Sequence, residues 1–152
     1  MLTNKDVVMS PTETSSSRMA PLGTIMAYDH PTYGMQWYRQ GKPNANTVVG
    51  TAYSTNSTDF ESCAVASADC NANVVVGIAQ SVIPSGEYGW FLVRGNGLGL
   101  AHSGGFAASE LLSVEGAAGA MDEDNASAES FIGRSNAAGS AGQTASCYFF
   151  IV

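Results

Sequence analysis

Charged residues are scarce in this chain, and basic ones are the scarcest. Only 12% of its 152 residues are charged, against about 25% in an average soluble domain. Six residues are Lys or Arg, and the net charge is −7. Binding to nucleic acid needs Lys and Arg to displace counterions from phosphates, and attachment to an anionic membrane surface needs the same side chains. We therefore expect neither nucleic acid nor a membrane among its partners.

Cysteines are also few, and their spacing matches no common metal site. Cys63, Cys70 and Cys147 form no Cys-x-x-Cys pair, which the usual structural zinc sites contain. We interpret all three as reduced, half-buried residues, with a Cys63–Cys70 disulfide as the alternative. The N-terminal segment lacks the apolar core of a signal peptide, and no apolar run approaches the ~20 residues of a membrane span. A protein made in the cytoplasm is expected.

No strong catalytic or cofactor motif is present. There is no G-x-S-x-G elbow and no phosphate loop, and Gly95-x-Gly97-x-Gly99 lacks the strand–turn–helix context of dinucleotide binding. A Ser-His-Asp set can be drawn on paper around His102, but a serine-rich chain produces such sets by chance. Asp122-Glu123-Asp124 are consecutive acids in a predicted loop, unlike the alternating ligands of an EF-hand. We expect no enzyme activity, no metal site and no cofactor.

The chain is instead rich in glycine and in short β-branched or aromatic runs. Val74–Ala79 and Tyr88–Val93 read as two strands joined by turn chemistry at Pro84–Glu87, which predicts an antiparallel pair. Residues of Tyr88–Val93 are apolar on both faces of the strand, so we expect cover on both sides, from the core and from a possible partner subunit.

Other runs predict further short strands and tight turns. A compact turn is predicted at Gly95–Gly97, and a helical turn is preferred over a strand within Phe60–Ala68. An apolar C-terminal run predicts a docked last strand, because free termini fray. The pattern is typical of a mainly β protein with one domain, an antiparallel β-sandwich or a small β-barrel. The remaining predicted strands are 22–28, 33–40, 47–53, 98–101, 111–114, 131–135 and 144–152.

The first twenty residues are polar and rich in Ser and Thr, unlike the rest. We predict an N-terminal arm, flexible or extended, over 1–20 and a β-rich domain over 21–152. The apolar residues of the arm are candidates for anchoring it on another subunit, and aromatic residues of the domain are candidates for further subunit contacts. These predicted contact residues are Val7, Val8, Met9, Trp37, Tyr38, Tyr88 and Trp90. With Tyr33, the domain aromatics are alternatively a sugar-stacking face.

One stretch resembles a known family. Gly77-Ile78-Ala79-Gln80, followed by Ile83-Pro84-x-Gly86-x-Tyr88-Gly89-Trp90 and continuing to Gly95, is similar to a pattern in capsid decoration (cement) proteins of tailed bacteriophages and related virion structural proteins. Leu22-Gly23-Thr24 and Phe131-Ile132-Gly133-Arg134 fit the same outline. The resemblance covers turns and strands, and it carries no chemical signature.

The resemblance implies a role on a virus particle. It implies a β-rich domain, a homotrimer on the outer capsid surface, that bridges subunits of the major capsid protein without catalysis or a cofactor. The pattern identifies no ligand-binding residues. A tail or fibre-attachment component and a carbohydrate-binding β module on the virion surface are the alternatives, and in each case the protein is made in the host cytoplasm.

Overall fold

The computed structural model describes residues 10–21, 23–55, 60–61, 63–66, 75–115, 119–123 and 131–151. Over these residues the protein is all-β, with ten strands and no helix. No helix long and apolar enough to cross a membrane occurs in this part of the chain. The strands are β1 (Ile25–His30), β2 (Gly34–Gly41), β3 (Ala52–Thr55), β4 (Cys63–Val65), β5 (Val75–Ala79), β6 (Gly89–Leu100), β7 (Leu111–Glu115), β8 (Ala120–Glu123), β9 (Gly133–Ser135) and β10 (Thr144–Phe150).

All ten strands belong to one antiparallel sheet that curls into a half-barrel. The main order is β4-β3-β5-β6-β10-β9-β7-β8, and the β1–β2 hairpin joins through pairing of β2 with β6. The predicted mainly β class is confirmed, and a curled sheet of this size is compatible with both the sandwich and the small-barrel alternatives. The predicted pairing of β5 with β6 is also confirmed, with Ile78 opposite Leu92.

The long strand β6 is where the sheet divides. Its first half pairs with β5 and β2, and its second half pairs with β10. The register of β2 against β6 shifts between Trp37 and Tyr38, where Val93 is the extra residue of a bulge. Bulges bend a strand and redirect its side chains. We call this point, between the β1–β2 hairpin and the end of β10, the fork.

The compact turn predicted at Gly95–Gly97 is wrong, because β6 runs through it. The alternating glycines lie on the buried face, where a Cβ has no room. A Cβ on Gly97 would lie 2.5 Å from Leu92 Cδ2, and one on Gly99 would lie 2.9 Å from Cys147 Sγ. Glycine here permits close packing inside a strand. The sequence alone does not show this, because glycine is also common in turns.

Two apolar clusters cover the two faces of the central strands. Trp90 and Leu92 belong to the larger cluster, whereas Phe91 packs in the smaller one with Tyr53, at 5.3 Å between ring centroids. All four residues are at most 1% exposed. The expectation that this strand is covered on both sides is therefore confirmed, and the single chain supplies both covers.

Two local predictions are wrong, whereas the predicted C-terminal strand is confirmed. Cys63–Val65 is strand β4 and not a helical turn, because it pairs with β3. Asp122 and Glu123 lie in strand β8 and not in a loop, because they pair with β7, whereas Asp124 is outside the described residues. The docked last strand is confirmed as β10, whose Phe149 is fully buried.

The described part of the predicted arm lies against its own domain. Ser15 and Tyr88 exchange backbone hydrogen bonds of 3.0 and 2.8 Å. Arg18 forms an ion pair with Glu61, and its Nε donates to Glu61 Oε1 at 2.7 Å. The boundary between arm and domain at residue 20 stays a prediction.

Candidate interaction surface

Strand register brings a set of exposed and half-buried side chains together on one side of the sheet. In the sheet, Ile25 is opposite Arg39, Trp37 is opposite Arg94, and Arg94 is opposite Phe150. Residues opposite each other project to the same side of a sheet, and every second residue along a strand follows them. We call this surface the outer face. Its members include Ile25, Asp29, Met35, Trp37, Arg39, Arg94, Leu111, Arg134, Tyr148 and Phe150.

Apolar exposure is concentrated on and beside the outer face. The described residues include eight large apolar side chains that are exposed, and four of these belong to the face: Ile25, Met35, Leu111 and Phe150. A fifth, Phe131, borders it beside Leu111 and Arg134. Grouped apolar exposure of this kind marks interaction sites on soluble proteins, whereas scattered single residues do not. The outer face is therefore the best candidate for a binding surface.

A groove of about 370 Å³ lies in this surface at the fork. Apolar side chains supply most of its wall, and two arginines, Arg39 and Arg94, lie at it. The Arg94 guanidinium carbon is 5.3 Å from the centroid of the Trp37 ring, a cation–π contact. We call this the fork groove. Its apolar lining consists of Ile25, Trp37, Val93, Phe150 and Ile151.

A second depression of about 380 Å³ lies near the other end of the outer face, beside Leu111 and Phe131. Here Arg134 Nε donates to the backbone oxygen of Ser109 at 3.1 Å. Ser109 has a φ of 69°, the single positive value for a non-glycine residue in the described part of the chain. Glu110 supplies a carboxylate to this depression, so its charge is mixed, unlike that of the fork groove.

Three of the four arginines of the chain lie on the outer face, together with exposed Asp29, which is opposite Met35 in the sheet. Arg39, Arg94 and Arg134 are half of the six basic residues, in a chain whose net charge is −7. Burial lowers the pKa of Arg39 from its ordinary value, and its guanidinium lies 5.2 Å from the Phe60 ring centroid. Arginine and aromatic residues are enriched at the energetic centres of protein interfaces.

The structure places the predicted contact residues unequally. Trp37 is half-buried on the outer face. Tyr38, Tyr88 and Trp90 are only 2%, 6% and 1% exposed, packed within their own chain. Val7, Val8 and Met9 lie outside the described residues. Contact of any of these side chains with another subunit stays a prediction.

Sequence reasoning missed most of the outer face because it did not decide which side of β2 is buried. Gln36 and Gln40 are at most 1% exposed, although glutamine usually lies outside. Tyr38 donates to Gln36 Oε1 at 2.9 Å, and Gln36 Nε2 donates to the Asn96 oxygen. The alternation of Met35, Trp37 and Arg39 is the sequence signal for the exposed side.

A serine and an aspartate do lie beside His102, but the three side chains are not arranged as a catalytic relay. His102 Nδ1 lies 3.5 Å from Asp122 Oδ2 and 3.3 Å from Ser103 Oγ. A nucleophilic triad uses both ring nitrogens, one for each partner, whereas here a single nitrogen faces both. No group of three or more potential metal ligands occurs among the described residues. The expectation that the chain is not an enzyme stays a prediction.

The five aromatic residues proposed for sugar stacking do not share an exposed face, so that form of the hypothesis is wrong. Tyr38, Tyr88 and Trp90 are buried. Arg94 lies over the ring of Trp37, and Tyr33 packs against His30 with ring centroids 4.7 Å apart.

Comparison with known proteins adds a likeness of fold. No protein-family model matches the chain, and no curated protein matches it. Among solved structures, the chain is similar to the N base of head fibre gp8.5 in bacteriophage phi29. The TM-score is 0.55 at 10% sequence identity, and the match covers 83% of this chain and 94% of that one. At this identity the likeness shows a shared fold.

Proposed function

We propose that this protein is a structural component of a tailed-bacteriophage virion that decorates and stabilises the capsid. The observation that carries the proposal is the fold shared with a phage head-fibre base over 83% of the chain. The similarity of the Gly77–Gly95 stretch to phage decoration proteins points independently to the same class of protein. No chemical constellation among the described residues competes with a binding role.

The outer face is the surface by which we propose the protein binds the major capsid protein. Its exposed apolar side chains gain free energy when they leave water, at roughly 25 cal/mol per Å² of apolar area. Its three arginines supply hydrogen-bond donors to a partner of opposite charge. Bridging two neighbouring capsid subunits through such contacts resists outward pressure without any reaction.

A homotrimer on the outer capsid surface is part of the same proposal. Closed cyclic assemblies are the common state of soluble oligomers. Three copies of a modest interface, linked in one particle, bind far more tightly than one copy does. The low content of charged residues suits a surface largely occupied by neighbours. The proposed location is the virion, after synthesis in the host cytoplasm, with no cofactor.

A fibre-attachment component is the second candidate, because the similar structure is described as the base of a head fibre. The number of copies per particle separates the two roles. A decoration protein covers the shell in many copies, whereas attachment sites for fibres or tails need fewer. A carbohydrate-binding module on the virion is a weaker alternative, since the aromatic rings are not arranged for stacking.

Binding to purified capsids that lack the protein tests the outer face. Met35→Asp places a charge among the exposed apolar residues of the face. Val82→Asp is the matched control, because Val82 is 60% exposed and is not part of the face. We expect Met35→Asp to weaken capsid binding about tenfold or more, the loss typical of a residue central to an interface. Val82→Asp should bind as the unmodified protein does, and equal effects of the two changes would reject this surface.

A further inference from the structure

The fork groove combines two features that a ligand must match together. Its wall is mainly apolar, from Trp37, Val93 and Phe150, and two arginines, Arg39 and Arg94, also line it. Within the described part of the chain, no carboxylate contacts Arg39 or Arg94. A groove with this lining favours an apolar group with a negative charge beside it, and disfavours a basic ligand.

Arg94 is held ready for a carboxylate. Its guanidinium lies over the ring of Trp37, and it is exposed at the surface of the sheet. A guanidinium stacked on an aromatic ring keeps its N–H donors at the edge of its plane, where they match the two oxygens of a carboxylate. The stacking also limits the rotamers of a long side chain, so less conformational entropy is lost on binding.

The dimensions of the groove limit the occupant. Its volume of about 370 Å³ is near the lower end of the ~300–1,000 Å³ of ligand pockets, which suits a few side chains of an extended segment. In an extended segment neighbouring side chains point to opposite sides and those two positions apart point to the same side, so an apolar residue and an acidic residue two positions away can both face the groove. Arg94 is one of the residues that line it.

We propose that the fork groove binds an extended protein segment that carries an apolar side chain two positions from an aspartate or glutamate. The apolar side chain packs against Trp37 and Phe150, and the carboxylate accepts hydrogen bonds from Arg94. That the segment belongs to the major capsid protein rests on the proposed function. The recognition of an apolar group and a carboxylate does not rest on the proposed function, because it is argued from the lining of the groove alone.

A peptide titration followed by NMR tests the proposal on the full chain. The probe is the capped pentapeptide Leu-Ser-Asp-Ser-Leu, in which leucine and aspartate face the same side of an extended chain, and its isostere has asparagine in place of aspartate. The chain has two tryptophans, and the indole signal of Trp37 reports on the groove while that of buried Trp90 serves as the internal reference. We expect a saturable shift of the Trp37 signal, with affinity for the aspartate peptide about tenfold or more above that for its isostere.

Arg94→Gln should remove this preference, so that the variant binds both peptides equally weakly. Arg134→Gln is the matched control, because Arg134 is on the outer face but does not line the groove, and it should keep the full preference. Equal affinity for the two peptides, no saturable shift, or an unchanged preference in Arg94→Gln would overturn the proposal. So would a concentration-dependent shift of the Trp37 signal without peptide, which would assign the groove to a second copy. Failure of the protein to bind capsids would reject the proposed function and leave the peptide result standing.

Discussion

Trp90 is the side chain on which the larger apolar cluster depends most. It is the largest fully buried side chain among the described residues, at 1% exposure, and it is the second residue of β6. Its indole nitrogen has no hydrogen-bond acceptor among the described residues, so its contribution is apolar packing. Phe91, the next residue, fills the opposite cluster.

Trp90→Ala should lower the free energy of unfolding by about 3–5 kcal/mol, the cost of a large cavity in a packed core. Urea denaturation followed by circular dichroism measures it. Trp37→Ala is the control, since Trp37 is only half-buried and should cost much less. If the Trp90 variant keeps its stability and loses only assembly, the side chain belongs to an interface and not to the core.

At the residue scale, the sequence predicts burial well where side chains are apolar and poorly where they are polar. The core positions Trp90 and Phe91 follow from an apolar run between turn signals. Gln36 and Gln40 are buried because Tyr38, Asn96 and the segment before β1 satisfy their amides. Those partners are distant in sequence or depend on a register that composition does not specify.

At the scale of strands, the sequence predicted some elements correctly and missed others. The runs that became β5 and β10 are rich in apolar residues, and both were predicted. The continuation of β6 through its glycines was missed, because local turn preference favours the opposite result and only packing against β10 and β2 reverses it. Strand β4 has three residues, too few for any periodicity, and its pairing with β3 decides its conformation.

Removing the last five residues, 148–152, should prevent stable folding. Strand β10 joins β6 to β9, and its Phe149 is fully buried. The Ile151 amide also donates to the Val93 oxygen at 2.9 Å, beside the fork. Soluble yield and thermal unfolding measure the effect, with removal of residue 152 alone as the control. A truncated protein that melts at the same temperature as the control would contradict the role of β10.

Acid should loosen the segment that packs before β1. Hydrogen bonds from Tyr88 and Arg18 lower the pKa of Glu61 below its ordinary value, which is about 4.3. Because the pKa is lower in the folded state, the ionised Glu61 carboxylate stabilises the fold fully at pH values above its ordinary pKa. This stabilisation is lost as the pH falls through the pKa of the folded state. We expect protection of the Ser15 amide from hydrogen exchange to stay constant above about pH 5 and to fall below about pH 4.

Glu61→Gln is the control for this titration, because it keeps a hydrogen-bond acceptor for Tyr88 and removes the charge. Its Ser15 protection should show no change over the same pH range. A pH dependence that persists in Glu61→Gln would assign the effect to another group.

At the scale of the whole molecule, the sequence predicts the class of fold. It does not predict the outer face, which we propose as the binding surface. Turn signals and short apolar runs are enough to indicate an antiparallel β domain. The outer face depends on which residues of β1, β2, β6 and β10 stand opposite one another, and that register is fixed by contacts between strands far apart in the chain. The proposed class of function rests on the resemblance to phage structural proteins, and the proposed chemistry of binding rests on the fork groove.

Quantitative mass spectrometry of purified virions, with electron microscopy of the same particles, tests the central claim most directly. We expect the protein in many copies per particle, as density on the outer shell with the outer face turned toward the major capsid protein. Absence of the protein from the particles would contradict a structural role in the virion. A few copies per particle, confined to fibre or tail attachment sites, would reject decoration in favour of attachment.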